Sequence, residues 1–180
     1  LREATGRELR VSVNLSARQL QEPGLIETVS AIVRETGIGP HLLELEITES
    51  VAMQNAAATL TALQALKDMG VSLAVDDFGT GYSSLLYLTR FPIDTVKVDR
   101  QFVGNVTTDP NAAAVVGAVV ALAHSLRLKT VAEGVETADQ REFLSSHMCA
   151  EMQGFLLARP VAVESLLGQA RSSHNRTYVS

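Results

Sequence analysis

The stretch VSLAVDDFGTGYSS, residues 71–84, decides the fold: a short apolar run ends in two adjacent aspartates, and a glycine-rich loop follows. Five other apolar runs end in the same manner on a carboxylate, an amide or a lysine, and a helix-like stretch comes after each. They are LRVSVN at 9–14, LLELEITE at 42–49, IDTVKVD at 93–99, LKTVAEGVE at 128–136 and AEMQGFLL at 150–157. Reactive groups at the carboxyl ends of parallel strands are typical of a (β/α) barrel. The pattern therefore predicts an acidic site at that edge, and a metal-dependent hydrolase is the first function to consider.

This alternation predicts six strand–helix units with parallel strands and right-handed crossovers. We expect an α/β fold of the (β/α)8 TIM-barrel type, of which the chain supplies about six units. A doubly wound open sheet is the alternative, but such a sheet concentrates its site near one switch point, whereas here nearly every strand delivers a polar residue. The expected strands are Glu8–Leu15, Leu42–Thr48, Val71–Val75, Thr95–Val98, Lys129–Ala132 and Met152–Leu157.

Composition limits the partners. The formal net charge of −5 gives no electrostatic support for nonspecific binding to a nucleic-acid polymer or an anionic membrane. No apolar run approaches the roughly 18 residues that a membrane-spanning helix needs. Cys149 is the single cysteine, which fits a reducing compartment. We expect a cytoplasmic segment, although segments outside this sequence could anchor the parent protein in a membrane.

Carboxylates dominate the candidate site. Asp76 and Asp77 are adjacent, and two such charges repel each other unless protons or a cation neutralise them. A divalent metal bound through oxygen is one solution; the alternative is that one aspartate caps the turn and the other is solvated. Strand alternation places Glu44 and Glu46 on the same face, and Glu46 is the better ligand because it lies nearer the strand end. A structural salt bridge explains either glutamate equally well.

Lys97 lies between two valines in a strand that we expect to be buried. If it points inward it needs anions, which the carboxylates would supply; a lysine that reaches solvent at the strand end is the alternative. Glu133 directly follows another apolar strand, and Gly134 allows the backbone to approach closely there. Gln153 either orients a metal-bound water or caps a strand.

Considered together, the motifs resemble those of one family. VNLSARQL, ELEITES, DDFGTGYSSL, FPIDTVKVDRQFV, TVAEGVET and QGFLLARP, from about Val11 to Pro160, are similar in order and spacing to the motifs of the EAL domain, the cyclic di-GMP phosphodiesterase module of bacterial signalling. The resemblance implies hydrolysis of cyclic di-GMP to linear pGpG with two Mg²⁺ or Mn²⁺ ions. It also leads us to expect a homodimer, and an upstream sensory or GGDEF domain in the parent chain.

The resemblance further implies a role for each matching residue. Asn14, Glu46 and Asp76 match ligands of one metal ion, and Asp77 matches a ligand of the second.

Lys97 matches the lysine that holds the attacking water, and Glu133 matches the glutamate associated with metal binding and general-base function. Other matches support the loop after the third strand, namely Glu49, Glu136, Thr80 and Gly81. Gln153 and Asp99 match polar residues that contact or support the substrate.

One family motif is missing. Glu-Ala-Leu occurs nowhere in the chain, and REAT at residues 2–5 stands directly before the first strand, which is the wrong context. In the family that motif lies upstream with two further strands. We therefore interpret residues 1–170 as a partial EAL domain without those strands, followed by a polar tail at 171–180, and expect these residues alone to be weakly active or inactive. A receptor that binds cyclic di-GMP without cleaving it and a protein-interaction module are the alternatives to a phosphodiesterase.

Overall fold

The computed structural model describes residues 8–80 and 88–165 of the chain. Within these ranges the chain forms one sheet whose six strands follow chain order, and every neighbouring pair is parallel. The strands are β1 Val11–Asn14, β2 Leu43–Thr48, β3 Ser72–Phe78, β4 Thr95–Val98, β5 Lys129–Ala132 and β6 Glu151–Met152. Sequential order is that of a (β/α) barrel, because a doubly wound sheet reverses its strand order at a switch point. The predicted α/β fold is confirmed, and the open-sheet alternative is wrong.

Helices connect the strands. They are α1 Ala17–Leu20, α2 Leu25–Thr36, α3 Glu49–Gln54, α4 Ala56–Asp68, α5 Arg100–Val103, α6 Pro110–Ser125 and α7 Ala138–Ser146, with further helical residues at 163–165. Ser16 and Thr137 begin α1 and α7 with reciprocal capping boxes, and Gly37 ends α2 in the left-handed conformation. No helix in the described ranges has the length and apolar character needed to cross a membrane. The polar tail at 171–180 and most of the short helix predicted after the glycine-rich loop lie outside the described residues.

The core lies between the central strands and the helices. Ile47, Leu73, Val75 and Val96 are each 1% exposed, since parallel strands are covered on both faces. The outer strand β1 differs, because all four of its residues are exposed.

The third strand is longer than the sequence pattern predicted. It continues through Asp76 and Asp77 to Phe78, because Asp76 pairs in register with Thr48 of β2 and Phe78 pairs with Val98 of β4. The register with β4 shifts between Val75 and Phe78, which accommodates the extra residues as a bulge. Both aspartates therefore lie within a strand rather than after one.

The first and last strands are shorter than predicted. β1 begins at Val11 instead of Glu8, and β6 contains only two residues. The chain turns after β6 because the backbone nitrogens of Leu157 and Ala158 both donate to the carbonyl of Gly154. The predicted continuation of this strand to Leu157 is wrong.

Candidate active site

Strand register brings the predicted polar residues to the inner face of the sheet. Asn14 pairs with Glu46, and Thr48 pairs with Asp76, so the side chains of paired residues leave the sheet on the same side. Lys97 pairs with Val131 of β5. Glu133 lies two residues after Val131, directly beyond the end of β5. The carboxyl ends of the five neighbouring strands β1–β5 therefore contribute to one site.

Lys97 occupies the centre of this site. Its ammonium lies 2.7 Å from Glu46 Oε2, 2.6 Å from Glu133 Oε1 and 3.3 Å from Asp76 Oδ1. Only 7% of the Lys97 side chain is exposed. The lysine therefore points inward and is held by three carboxylates from three different strands or strand ends, and the alternative of a solvent-exposed lysine is wrong.

The cluster holds more carboxylates than ammonium groups. Burial by itself lowers the pKa of the Lys97 ammonium, but hydrogen bonds to Glu133 and Glu46 outweigh burial, and the pKa is raised. The pKa of Glu133 is also raised, first by burial and then by Asp76 and Glu46, although Lys97 opposes the shift. One ammonium is thus shared by several carboxylates and neutralises them incompletely.

Asp77 has an unusual backbone. Its φ is 54°, in the left-handed region that aspartate tolerates better than most residues, at the bulge in β3. The pKa of Asp77 is raised by burial, by the neighbouring Asp76 and by a hydrogen bond with Asp99. Asp99 also begins α5, since its Oδ1 accepts from the backbone nitrogen of Gln101 at 2.6 Å. The bulge places Asp77 beside Asp99, which directly follows the neighbouring strand β4.

The start of the glycine-rich loop is held from two sides. Glu49, which is 1% exposed, accepts a hydrogen bond at Oε2 from the backbone nitrogen of Gly79 at 2.9 Å. Thr80 Oγ1 donates to the carbonyl oxygen of Asp77 at 2.8 Å. Gly81 lies outside the described residues. Glu136 is exposed, and no hydrogen bond or ion pair joins its side chain to the described part of the loop, residues 78–80.

Two predicted residues lie at the margins. Asn14 is exposed at the end of β1. Gln153 is exposed directly after β6, where its backbone nitrogen donates to Ala132 and its carbonyl accepts from Val135. Their side chains are accessible from solvent, unlike those of Glu46 and Lys97.

A cleft of about 500 Å³ opens beside the lysine cluster. It is lined by Asp77, Thr80, Asp99, Arg100, Gln101 and Glu133. Arg100 and Gln101 were not singled out from the sequence. A signal for them existed, because they directly follow Asp99 at the carboxyl end of β4, where barrel strands place reactive residues.

The donor set fits a hard divalent cation. The gathered acids are Glu46, Asp76, Asp77, Asp99 and Glu133, and the cluster has oxygen ligands without a histidine or thiolate, as Mg²⁺ and Mn²⁺ prefer. Burial first, and the neighbouring acids after it, raise the pKa values of Asp77 and Glu133, and a bound cation would offset both effects. In the described ranges no three acidic, histidine or cysteine side chains are already arranged around a common cation position. Three of the carboxylates contact Lys97 instead.

A sequential parallel α/β sheet with an acidic cleft at its carboxyl edge defines a barrel-type domain with an oxygen-rich site. Comparison with known proteins identifies the family: the EAL domain profile matches residues 1–160, and the chain belongs to the EAL domain family. The membership predicted from the motifs is confirmed.

Relatives and solved structures agree with this assignment. MucR of Pseudomonas aeruginosa, named a bifunctional diguanylate cyclase/cyclic di-GMP phosphodiesterase, is 50% identical over 157 residues, which are 87% of this chain and 23% of that protein. The PaMucR phosphodiesterase in its c-di-GMP complex has a TM-score of 0.85 at 49% identity, covering 87% of this chain and 64% of that one. The EAL domain of Mycobacterium smegmatis DcpA has a TM-score of 0.88 at 40% identity, covering 94% and 76%. The chain thus spans less than a quarter of the length of MucR.

Proposed function

We propose that the protein hydrolyses cyclic di-GMP to linear pGpG with the help of Mg²⁺ or Mn²⁺. The observation that carries this proposal is the buried Lys97 ammonium, held at 2.6–3.3 Å by Glu46, Asp76 and Glu133 beside an acidic cleft. Support comes from the EAL family membership and from the similarity to a phosphodiesterase in complex with c-di-GMP.

Glu133 and Lys97 are the residues to which we assign the chemistry. Glu133 accepts a proton from water, and the rise in its pKa brings this carboxylate closer to the range in which a general base is effective. Lys97 holds that water through its ammonium and stabilises negative charge on the phosphoryl oxygens. The water oxygen forms a new bond to phosphorus, the bond from phosphorus to one ribose 3′ oxygen breaks, and the departing oxygen takes up a proton to become the 3′ hydroxyl. The second phosphodiester stays intact, so the product is linear.

Asn14, Glu46 and Asp76 would hold one divalent ion, because they supply oxygen ligands on the inner face of neighbouring strands. Asp77 would hold a second from the cleft that it lines. When bound, such ions lower the pKa of water and neutralise phosphoryl charge.

We assign the cleft to the substrate. Arg100 supplies a positive charge in its lining, which suits a phosphate group, and Gln101 supplies an amide. Asp99 and Gln153 support or contact the nucleotide from the ends of β4 and β6. Glu49 and Thr80 stabilise the start of the loop that borders the cleft, and the loop-supporting roles of Gly81 and Glu136 stay predictions.

Chromatographic detection of pGpG from cyclic di-GMP tests the proposal. The assay uses the 180-residue chain and a form extended at its amino terminus by the segment that the resemblance predicts, with Mg²⁺, Mn²⁺ or EDTA. We expect metal-dependent turnover in the extended form, and a fall on the order of 100-fold or more in Glu133→Gln. Glu142→Gln is the matched control, because it makes the same chemical change on the exposed face of α7.

Other outcomes assign the alternatives. Stabilisation of the folded protein by cyclic di-GMP without turnover in either form would favour a receptor. Neither turnover nor stabilisation would contradict a nucleotide-directed function and favour an interaction module. Equal activity of Glu133→Gln and the wild type would remove Glu133 from the mechanism.

Three further expectations stay predictions. Light scattering of the purified chain measures the homodimer, and sequencing of the parent gene identifies a sensory or GGDEF domain. Fractionation of producing cells tests the cytoplasmic location.

A further inference from the structure

One step below the candidate site, the inner face of the sheet carries a second group of polar side chains, which we call the lower layer. Its members are Arg10, Ser12, Glu44, Thr95 and Glu151. Glu44 lies at the centre and is only 2% exposed. Its Oε1 accepts from Ser12 Oγ at 2.9 Å, and its Oε2 accepts from Thr95 Oγ1 at 3.1 Å. Arg10 lies 3.4 Å from the same Oε2.

The lower layer repeats the geometry of the site above it. Glu44 precedes Glu46 by two residues in β2, and Thr95 precedes Lys97 by two residues in β4, so both members of each pair face inward. The Glu44–Thr95 hydrogen bond therefore joins the same two strands as the Glu46–Lys97 ion pair. Both contacts cross β3, where Ala74 lies in register between Glu46 and Thr95 and offers only a methyl group.

Arg10 extends the lower layer across the sheet. β1 and β6 are the two outermost strands, yet Arg10, directly before β1, reaches Glu151 Oε2 of β6 at 2.5 Å. The two residues are 141 positions apart in the chain. This partly exposed contact links the start of β1 to β6.

The cost of burying Glu44 indicates a role other than bulk stability. A buried carboxylate must recover a large desolvation penalty, and apolar side chains of similar volume are often at least as stabilising in such positions. Hydrogen bonds are directional, however, so they fix the relative positions of strands more narrowly than apolar contacts do. A site built on strands depends on those positions, since its side chains must be held within about 0.5 Å of a productive arrangement.

We propose that the lower layer positions the active site: Glu44 fixes the position of β2 relative to β1 and, across β3, to β4, and thereby sets the separation between Glu46 and Lys97. Glu44 and Thr95 are positioning residues that touch neither substrate nor metal. The kinetic part of the test rests on the proposed function, whereas the structural part does not.

Two variants and a rescue test the proposal. Glu44→Gln replaces one acceptor oxygen by a donor, and Thr95→Val removes the hydroxyl at nearly constant volume; Thr95→Ser keeps that hydroxyl. In the amino-terminally extended form, we expect Glu44→Gln and Thr95→Val to lower kcat and the calorimetric affinity for Mn²⁺ by about tenfold each. KM should change by about twofold at most, because the cleft lining is untouched. Thr95→Ser should retain the kcat and Mn²⁺ affinity of the wild type.

Lys67→Met is the control for a general loss of stability. It removes an ion pair with Asp94, outside the site and the lower layer, and should leave kcat and Mn²⁺ affinity unchanged. If the folded Glu44→Gln and Thr95→Val variants keep wild-type kcat and Mn²⁺ affinity, the proposal is overturned. If Glu44→Gln does not fold, the comparison of Thr95→Val with Thr95→Ser decides.

Crystal structures distinguish a failure of this proposal from a failure of the proposed function. If the wild type neither cleaves cyclic di-GMP nor binds Mn²⁺, the proposed function has failed, and the distance between Lys97 Nζ and Glu46 Oε2 still measures positioning. We expect this 2.7 Å contact to be lost in Thr95→Val and retained in Thr95→Ser. An unchanged contact in Thr95→Val would overturn the proposal.

Discussion

Two lysines of this domain form ion pairs at opposite edges of the same sheet, and they differ in every respect that matters for function. At the amino edge, Lys67 of α4 lies 2.6 Å from both carboxylate oxygens of Asp94, and both side chains are 34% exposed. Asp94 Oδ2 also accepts from the backbone nitrogen of Leu73 at 2.9 Å. At the carboxyl edge, Lys97 is 7% exposed and is shared by three carboxylates.

The difference separates a structural pair from a functional cluster. Lys67 and Asp94 balance each other, and they join a helix to the starts of β3 and β4. Lys97 alone cannot balance three carboxylates, and burial, together with the neighbouring acids, raises the pKa values of Asp77 and Glu133. Residues with shifted pKa values concentrate at functional sites, because catalytic acids and bases need pKa values that differ from those of free side chains.

Lys97→Met is the strongest test of this comparison. The change leaves Glu46, Asp76 and Glu133 without their shared cation, so the metal-free protein should lose about 3 kcal/mol of unfolding free energy. Turnover of cyclic di-GMP should fall on the order of 100-fold. Urea denaturation and the pGpG assay measure the two effects. Added Mn²⁺ should restore part of the stability, since it supplies positive charge to the same carboxylates.

If Lys97→Met is as stable as the wild type without metal, the three carboxylates do not need the lysine charge for stability. The proposed difference between the two edges would then be contradicted. An undiminished rate would remove Lys97 from the proposed chemistry.

Gly154→Ala tests how closely the backbone must pack at the carboxyl edge. A Cβ at Gly154 would overlap the backbone nitrogen and oxygen of Val135, which lies two residues after Glu133. We expect a loss of about 2 kcal/mol by thermal or urea unfolding, because backbone cannot yield as a flexible side chain can. Activity should fall as well, since the strain displaces the segment that carries Glu133.

Gly37→Ala is the matched control for this change. Gly37 has a φ of 66°, and a Cβ there would meet nothing within 4 Å. It should therefore cost only the left-handed backbone penalty of about 1 kcal/mol, with no loss of activity. Equal losses at Gly154 and Gly37 would mean that the contact with Val135 relaxes freely.

Local patterns sufficed for much of the fold. The bounds of β4, Thr95–Val98, and of β5, Lys129–Ala132, are those predicted. In both cases polar residues flank a short apolar run and mark where the strand begins and ends. The gathering of acids at one edge also followed from position alone, since parallel strands collect their carboxyl ends there. The sequence left open whether Lys97 points inward or reaches solvent, and only the structure decides this.

Features that depend on curvature or on local backbone irregularity could not be predicted in this way. The Arg10–Glu151 and Glu44–Thr95 contacts join residues 141 and 51 positions apart, and only the curled sheet brings them together. Asp77 has a left-handed backbone conformation at the bulge in β3. The bulge leaves the apolar pattern of β3 unchanged, so the hydrophobic periodicity does not predict it.

Glu49→Ala tests the attachment of the loop to the carboxyl edge. The variant loses the acceptor of the Gly79 backbone nitrogen and should cost about 1.5 kcal/mol of unfolding free energy. Activity should fall about tenfold, as is usual for supporting residues. Glu49→Gln keeps an acceptor oxygen and should recover most of both losses in the same two assays. If Gln and Ala behave alike, the negative charge of Glu49 matters rather than its hydrogen bond.

Lys67→Met should have the smallest effect of these changes on the free energy of unfolding. It therefore gives the loss expected when an exposed, balanced ion pair is removed. Its ion pair is one-third exposed on both sides, so water screens much of the attraction, and its loss should cost about 0.5 kcal/mol. Asp94 keeps its hydrogen bond from Leu73, which anchors the carboxylate without the lysine. Urea denaturation at low and high salt measures the effect, which should shrink as salt screens the pair. A loss as large as that of Lys97→Met would mean that neither burial nor the surplus of carboxylates distinguishes the two lysines, because an exposed, balanced pair would then matter as much as a buried, unbalanced one.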